Sequence, residues 1–129
     1  MTIPVELHGV FVDDYGTGHT IDDSLWVHGP RNRYHLVEWH PESGFVLARN
    51  DVANVADGGR YDRIDWLMLR DGNEWTWAFC IATWDAPSLA AARAVTLADT
   101  TNPRSGCGGY PFTRMRRSAT APPPGAPDE

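Results

Sequence analysis

Three polar residues, His35, Asn50 and Asp62, interrupt stretches of sequence that are otherwise apolar at every second position. Burial raises the pKa of an aspartate and lowers that of a histidine, so the pKa of either group would approach working pH inside a protein. The trio is therefore predicted to be catalytic, holding and moving a proton without a cofactor. The alternative is structural: Asp62 caps a strand end, and His35 and Asn50 satisfy each other across a hairpin.

Two predicted hairpins place these residues on one face. Asp71-Gly72 predicts a two-residue turn, because both residues tolerate the positive φ of a type I′ turn. Counting outward from that turn gives the cross-strand pairs Met68 with Trp75, Trp66 with Trp77, Ile64 with Phe79 and Asp62 with Ile81. A four-residue turn at Pro41 to Gly44 pairs Trp39 with Val46, Val37 with Ala48 and His35 with Asn50.

The shared face is apolar and rich in tryptophan. Apolar walls with a few convergent polar groups describe most small-molecule sites, and they also describe many cores. As a site, the face would bind a ligand through Trp39, Ile64, Trp66, Met68, Trp75, Trp77 and Phe79. Whether these side chains enclose a pocket or fill the interior stays open at this level.

The elements that must position this face are mostly strands. Short aromatic and β-branched segments recur about every ten residues, which predicts an all-β antiparallel meander of six to eight strands, closed as a barrel or folded as a sandwich. One helix is predicted from Pro87 to about Ala98, capped by Asp85 or Ser88, either against the barrel or plugging one end. Tyr110 and Phe112 are predicted in a closing strand. Residues 1–116 would form one domain and residues 117–129 a disordered Pro-rich tail.

The order of elements resembles the lipocalin-like, or calycin, barrels. The segments ARNDVAN and YDRIDW, the later Cys80 and the segment GCGGYPFT also resemble a group of little-characterised small bacterial proteins. The resemblance implies a shared fold and a Cys80–Cys107 bridge, and it implies no activity. The residues alone leave a bridge and two buried thiols both open, depending on the redox compartment.

The remaining histidines and paired aspartates are residue types that bind metals or stabilise turns. Five histidines are present, but without a HExxH motif or a histidine pair at helical spacing no metal is predicted, and His28 and His40 are expected in loops. The pairs Asp13-Asp14 and Asp22-Asp23 are expected to serve turns, with a place at the rim of a pocket mouth as the alternative.

Composition excludes several function classes. The net charge is −6, and the chain contains eleven arginines and no lysine, with only Arg114, Arg116 and Arg117 clustered. Nucleic-acid binding is therefore not expected, and neither is Schiff-base chemistry. No stretch approaches the roughly 20 apolar residues of a membrane-spanning helix. Without a signal sequence the chain is expected in the cytoplasm, or exported if a precursor was trimmed.

Three functions remain compatible with these observations. The first is a cofactor-independent cyclase or isomerase acting on a hydrophobic, polyketide-like or polyene-like metabolite. The second is a carrier or sequestering protein for a small hydrophobic ligand. The third is an interaction module, which would form a homodimer through Trp84 and the outward face of residues 76–82. Only the fold is argued from pattern, since function inferred from a fold is analogy.

Overall fold

The computed structural model describes residues 3–70 and 72–118 of the 129-residue chain. It contains eight strands, a 3₁₀ turn before the first strand and one short helix before the last. In chain order these are the 3₁₀ helix Val5–Leu7, β1 Gly9–Asp13, β2 Gly18–Ile21, β3 Leu25–His28, β4 Asn32–His40, β5 Phe45–Asn50, β6 Tyr61–Met68, β7 Trp77–Ala86, α1 Leu89–Arg93 and β8 Thr113–Arg117.

The strands form a closed up-and-down barrel. Each strand pairs antiparallel with the next in sequence, and β8 pairs back with β1 through Val12 and Arg116. The predicted antiparallel barrel is thus confirmed, with eight strands, and the sandwich alternative is excluded. Closure leaves no free sheet edge, so every strand has two hydrogen-bonded neighbours.

The two ends of the barrel differ in chemistry. Because neighbouring strands run in opposite directions, the last residues of β1, β3 and β5 lie at the same end as the first residues of β2, β4 and β6. We call this the polar end, since buried ionisable side chains collect there. The opposite end is covered by the 3₁₀ helix, whose Leu7 is fully buried.

Aromatic rings pack against one another inside the barrel. The Trp26 and Trp77 rings meet edge to face at 5.8 Å, and Phe11 contacts Trp77 in the same way at 5.3 Å. The buried cluster consists of Leu7, Phe11, Ile21, Trp26, Tyr34, Trp39, Val46, Ala48, Ile64, Trp66, Trp77, Phe79 and Met115. Edge-to-face contacts of this kind add about 0.5–1.5 kcal/mol per pair beyond burial.

The predicted partners in the β6–β7 hairpin are wrong by two residues. Met68 pairs with Trp77 and Ile64 with Ile81, because the connection is longer than two residues and Leu69 N donates to Thr76 O. A shift of two residues preserves the side-chain alternation, so the inward face is still the predicted one. Asp71, half of the predicted turn, lies outside the described residues.

Trp75 is the residue that this shift removes from the interior. It precedes β7 and is partly exposed. The guanidinium groups of Arg114 and Arg116 lie 4.9 and 5.6 Å from the centre of its ring. Trp75 therefore makes surface cation–π contacts and does not face the interior cluster.

A β-bulge in β4 overturns the predicted face of His35. The register shifts between Leu36 and Glu38, so that Trp39 pairs with Val46 as predicted but His35 pairs with Arg49. The intervening Val37 is 50% exposed. One extra residue in one strand exchanges the two faces beyond it, and the sequence contains no glycine or proline that marks this bulge.

The helix is shorter than predicted and lies outside the barrel. Ser88, one of the two predicted caps, accepts a hydrogen bond from Ala91 N at 3.1 Å, and the helix ends at Arg93. The β-branched Val95 and Thr96 follow it, and such residues favour helices weakly. Ala92 packs on Leu47 from the outer face of β5, so the helix covers the barrel wall rather than an end.

A second outer layer is tied down by a disulfide. Cys80 of β7 is bonded to Cys107, and Phe112 packs with Ala78 in the same buried cluster. These contacts cover much of the outward face of residues 76–82, the predicted dimer surface. The Trp84 side chain is still 54% exposed.

The predicted closing strand begins later than expected. Phe112 lies just before β8 and packs outside the barrel, and Tyr110 is exposed. The inward residue of β8 is instead Met115. The strand continues through Arg117, one residue into the predicted tail, and residues 119–129 of that tail lie outside the described residues.

No helix within residues 3–70 and 72–118 has the length and apolar character to cross a bilayer.

Candidate functional site

The polar end gathers six side chains that carry acid, base or hydrogen-bonding groups. All six are at least partly buried, and each lies at the end of its strand that belongs to this rim. They are Asp13, His19, His28, Tyr34, Asn50 and Asp62. The predicted catalytic trio contained Asn50 and Asp62. Asp13 was predicted at a turn, with a pocket rim as the alternative, and the other three residues were not predicted as site residues.

Asp13 and His19 form a buried hydrogen-bonded pair. His19 Nε2 lies 2.8 Å from Asp13 Oδ2, and Asp13 Oδ1 accepts hydrogen bonds from the backbone N–H groups of Tyr15 and Thr17. Burial alone would raise the pKa of Asp13, but the hydrogen bond from His19 and those from the turn hold it below its ordinary value. The predicted turn role of Asp13 is confirmed, and the residue also faces the barrel interior.

Trp26 fixes the tautomer of His19. The indole Nε1–H of Trp26 donates to His19 Nδ1 at 3.0 Å, and an indole nitrogen can only donate. Nδ1 therefore carries no proton, so the single proton of the neutral ring sits on Nε2 and is donated to Asp13. Burial lowers the pKa of His19 to about 4, against the raising effect of Asp13. His19 is neutral at physiological pH.

Replacing Trp26 by phenylalanine tests this tautomer. In Trp26→Phe, His19 Nδ1 loses its donor and becomes free to accept a proton, so we expect the pKa of His19 to rise and stability to fall by about 1–3 kcal/mol. Histidine NMR titration measures the first effect and thermal unfolding the second. Trp39→Phe is the matched control, because its indole donates to Asp23 O at 3.0 Å, away from His19. Equal His19 pKa values in both variants would show that Trp26 does not hold the tautomer.

His28 and Tyr34 form a second pair beside the first. His28 Nδ1 lies 2.9 Å from Tyr34 Oη, and the His28 ring stacks on His19 with centroids 4.4 Å apart. Burial lowers the pKa of His28, and the charge of Asp13 opposes that effect. His28 lies at the end of β3 and not in a loop as predicted. It is only partly buried, so it is the member of the cluster nearest to solvent.

Asp62 is the unusual group of the polar end. Its side chain is 0% exposed, and neither carboxyl oxygen has a hydrogen-bond partner among the described residues. Burial raises its pKa to about 8, the Asn50 amide opposes the rise, and the charge of Asp57 adds to it. The carboxyl is therefore mostly protonated at neutral pH. It lies close enough to Tyr34 for its charge to contribute to the raised pKa of that phenol.

Asn50 anchors the loop that covers Asp62. Its Nδ2 donates to the carbonyls of Asp57 and Trp84 at 2.9 and 2.7 Å, and the same amide lies close enough to the Asp62 carboxyl to oppose the rise of its pKa. Residues 51–60 join β5 to β6 at the polar end, and Asn54 bonds both backbone groups of Arg33. Within this loop Val52 and Val55 are 84% and 72% exposed.

The structure separates His35 from the other two predicted catalytic residues. The His35 side chain is 53% exposed, and its Nε2 lies 2.8 Å from Asp51 Oδ2 on the barrel exterior. Its predicted inward position is wrong because the bulge at Val37 turns it outward. Tyr34 takes the inward position opposite Asn50 instead.

Six of the seven predicted ligand-binding residues belong to the interior. All but Trp75 lie in the buried cluster or pack against it, namely Trp39, Ile64, Trp66, Met68, Trp77 and Phe79. Their rings contact one another, as Trp39 and Trp66 do at 5.6 Å.

A cleft of about 660 Å³ lies along the outward side of β1, β2 and β3 and includes Val10, Thr20 and Val27.

Asp13, His19 and His28 have the composition of a metal-binding set. One ligand atom from each lies within 4.8 Å of the others. A metal on His19 Nε2 would displace the only ring proton, while Trp26 still donates to Nδ1. Metal-bound histidines ordinarily donate from their second nitrogen. The Trp26 contact thus favours a proton over a metal at His19.

Comparison with known proteins adds no assignment: no family model, curated protein or solved structure matches this chain.

Proposed function

We propose that this protein binds a small molecule at the polar end of the barrel, with Asp62 as the anchoring group. The observation that carries the proposal is the fully buried carboxyl without a hydrogen-bond partner. Leaving such a group unpaired costs about 1–3 kcal/mol, and buried unsatisfied groups in folded proteins call for an explanation. A ligand that supplies the missing partner recovers this free energy on binding.

The architecture supports the same proposal. An eight-stranded barrel has an interior just wide enough either to be filled by side chains or to hold one small ligand, as lipocalins do. Here aromatic rings fill the interior between the opposite end and the middle of the barrel. The ligand therefore occupies the polar end, next to Trp26 and Phe79. Access requires residues 51–60 to move away from Asn50 and Asp62.

Acid–base catalysis is the second candidate, favoured by the His28–Tyr34 pair. Burial lowers the pKa of His28, which keeps its imidazole neutral and able to accept a proton, and raises the pKa of Asp62 to about 8, which keeps its carboxyl protonated. A base and an acid therefore lie at one end of the barrel. In a cyclase or isomerase, His28 would accept a proton and Asp62 would donate one, with no cofactor. The predicted base, His35, lies outside the barrel, so binding without turnover is the simpler proposal.

Incubation with a metabolite extract from the source cells separates the two candidates. Free and protein-bound compounds are followed by mass spectrometry with the wild-type protein, Asp62→Asn and His35→Ala. The proposal predicts one compound retained unchanged at about one per protein chain by the wild type and by His35→Ala, and lost from Asp62→Asn.

Each other outcome has a definite meaning. Disappearance of a compound with growth of an isomer of equal mass, abolished in Asp62→Asn, would establish the enzyme. Retention that is equal in Asp62→Asn and the wild type would place the ligand away from the polar end. No retention and no conversion would leave the polar end as core, and Trp84 would then be the surface to test for dimer formation.

A further inference from the structure

We infer that the ligand of the polar end carries a protonated amine, which pairs with the Asp62 carboxylate. The inference rests on the proposed binding site and adds the chemical class of its ligand. It follows from three features of the polar end: the number of unpaired acceptor atoms, the sign of the surrounding charge, and the aromatic rings beside the carboxyl.

The unpaired atoms of Asp62 match an ammonium group. Both carboxyl oxygens are buried and unpartnered among the described residues. The ionised carboxylate has no donor of its own, so a partner for both of its oxygens must supply at least two donors. An ammonium group has three N–H donors, whereas an alcohol has one and leaves the second oxygen unsatisfied. A hydrogen bond to a charged group also contributes about twice as much as one between neutral groups.

The charge that acts on Asp62 is negative. Asp13 is held ionised by its hydrogen bonds, and the charge of Asp57 reaches Asp62. No ion pair of residues 3–70 and 72–118 includes Asp62, and the chain contains no lysine. An anionic ligand would be repelled there, and a cation would supply the missing countercharge.

Aromatic rings complete the environment of a cation. Tyr34 lies near Asp62, and its ring meets Trp26 edge to face at 6.4 Å. A cation beside such rings gains about 0.5–2 kcal/mol from the ring quadrupole. An apolar group attached to the amine would lie against the same rings, which favours a small aromatic or branched aliphatic amine.

Pairing with an amine requires Asp62 to ionise, so binding must release a proton. The free carboxyl is mostly protonated at neutral pH, whereas the carboxylate in the complex is not. The released proton goes to the buffer, and the amine keeps its own. Binding should therefore strengthen as pH rises toward 8 and level off above it, until the amine itself begins to lose its proton.

Isothermal titration calorimetry with benzylamine, benzyl alcohol and benzoate tests the inference. Titrations at about pH 7 in buffers of different ionisation enthalpy give the proton count, which we expect to be about 0.9 released per benzylamine bound. The affinity for benzylamine should rise about tenfold between pH 6 and 7. Benzyl alcohol and benzoate should bind at least about tenfold more weakly at pH 7.

The variants and a metal titration supply the controls. Asp62→Asn should lose both the proton release and about tenfold or more in affinity, while His35→Ala should keep both. The wild-type proton count stands even if Asp62→Asn folds poorly. Equal binding of benzyl alcohol, binding without proton release, or the same proton release on addition of Zn²⁺ alone would overturn the amine assignment.

The two proposals fail in different ways. If benzylamine does not bind while the wild type retains an extract compound that Asp62→Asn does not, the amine assignment is wrong and the binding site stands. If benzylamine does not bind and no compound is retained, both proposals are wrong.

Discussion

Asp62→Asn is expected to make the protein more stable than the wild type above neutral pH. The variant should also lack the fall in stability that ionisation of Asp62 causes in the wild type as pH rises. The pKa of Asp62 is about 8 in the folded protein and ordinary in the unfolded chain. The folded state therefore binds the extra proton between about pH 4 and 8, so wild-type stability falls as pH rises through this window and levels off above it.

The size of this effect follows from the difference in pKa. A difference of about four units corresponds to a loss on the order of 5 kcal/mol, complete above pH 8 and absent below pH 4. Asparagine has nearly the same shape and does not ionise, so the variant escapes the loss. His19 and His28, whose pKa values are lowered, contribute the opposite trend at lower pH, but equally in both proteins.

Denaturant unfolding at a series of pH values measures the difference in free energy of unfolding between wild type and variant. Asp23→Asn is the matched control, because it makes the same chemical change on an exposed side chain. The control should follow the wild-type profile. Parallel wild-type and Asp62→Asn profiles from pH 5 to 9 would show that Asp62 ionises freely in the folded protein.

Removal of the disulfide is expected to cost about 3–4 kcal/mol. Cys80 and Cys107 are 27 residues apart in sequence, and the bridge restricts the unfolded chain over that loop. It also holds the outer layer in which Phe112 packs on Leu67 and Ala78. In Cys80→Ser/Cys107→Ser we expect the Tm to fall by roughly 10 °C or more and amides of residues 98–112 to exchange faster than those of the barrel strands.

Thermal unfolding and hydrogen exchange, each with and without a reductant, check this prediction. The reductant should destabilise the wild type and leave the double variant unchanged, which separates the bridge from the serine substitutions. A Tm unchanged in the variant, or a reductant effect that persists in it, would show that the outer layer is held by packing alone.

Much of the fold was predictable because the strands alternate. Residues such as Ile64, Trp66 and Met68 recur at every second position, so their shared inward face followed from the sequence even though the hairpin partners were displaced by two. The bridge between Cys80 and Cys107 was implied by the resemblance and is present. The helix was predicted too long, because a high alanine content predicts a helix but does not show where the following β-branched residues end it.

The site was harder to predict because a bulge has no clear sequence signal. Val37 reads as a regular inward position, and only the pairing of Leu36 with Ala48 shows that the strand gains a residue there. Because of the extra residue, Tyr34 faces the barrel interior in place of His35. The inward positions of His19 and His28 were nevertheless predictable. His19 lies two residues before the inward Ile21, and His28 lies two residues after the inward Trp26, so strand alternation puts both on the inward face.

The most direct test of the account is a carboxyl ¹³C NMR titration of Asp62 in the free protein and with saturating metabolite extract. The account predicts a midpoint at about pH 8 in the free protein. It also predicts that this midpoint moves when a ligand occupies the polar end, because a ligand that pairs with the carboxyl changes its proton affinity. A midpoint in the ordinary aspartate range, or one that extract leaves unchanged, would contradict the claim that Asp62 anchors a ligand.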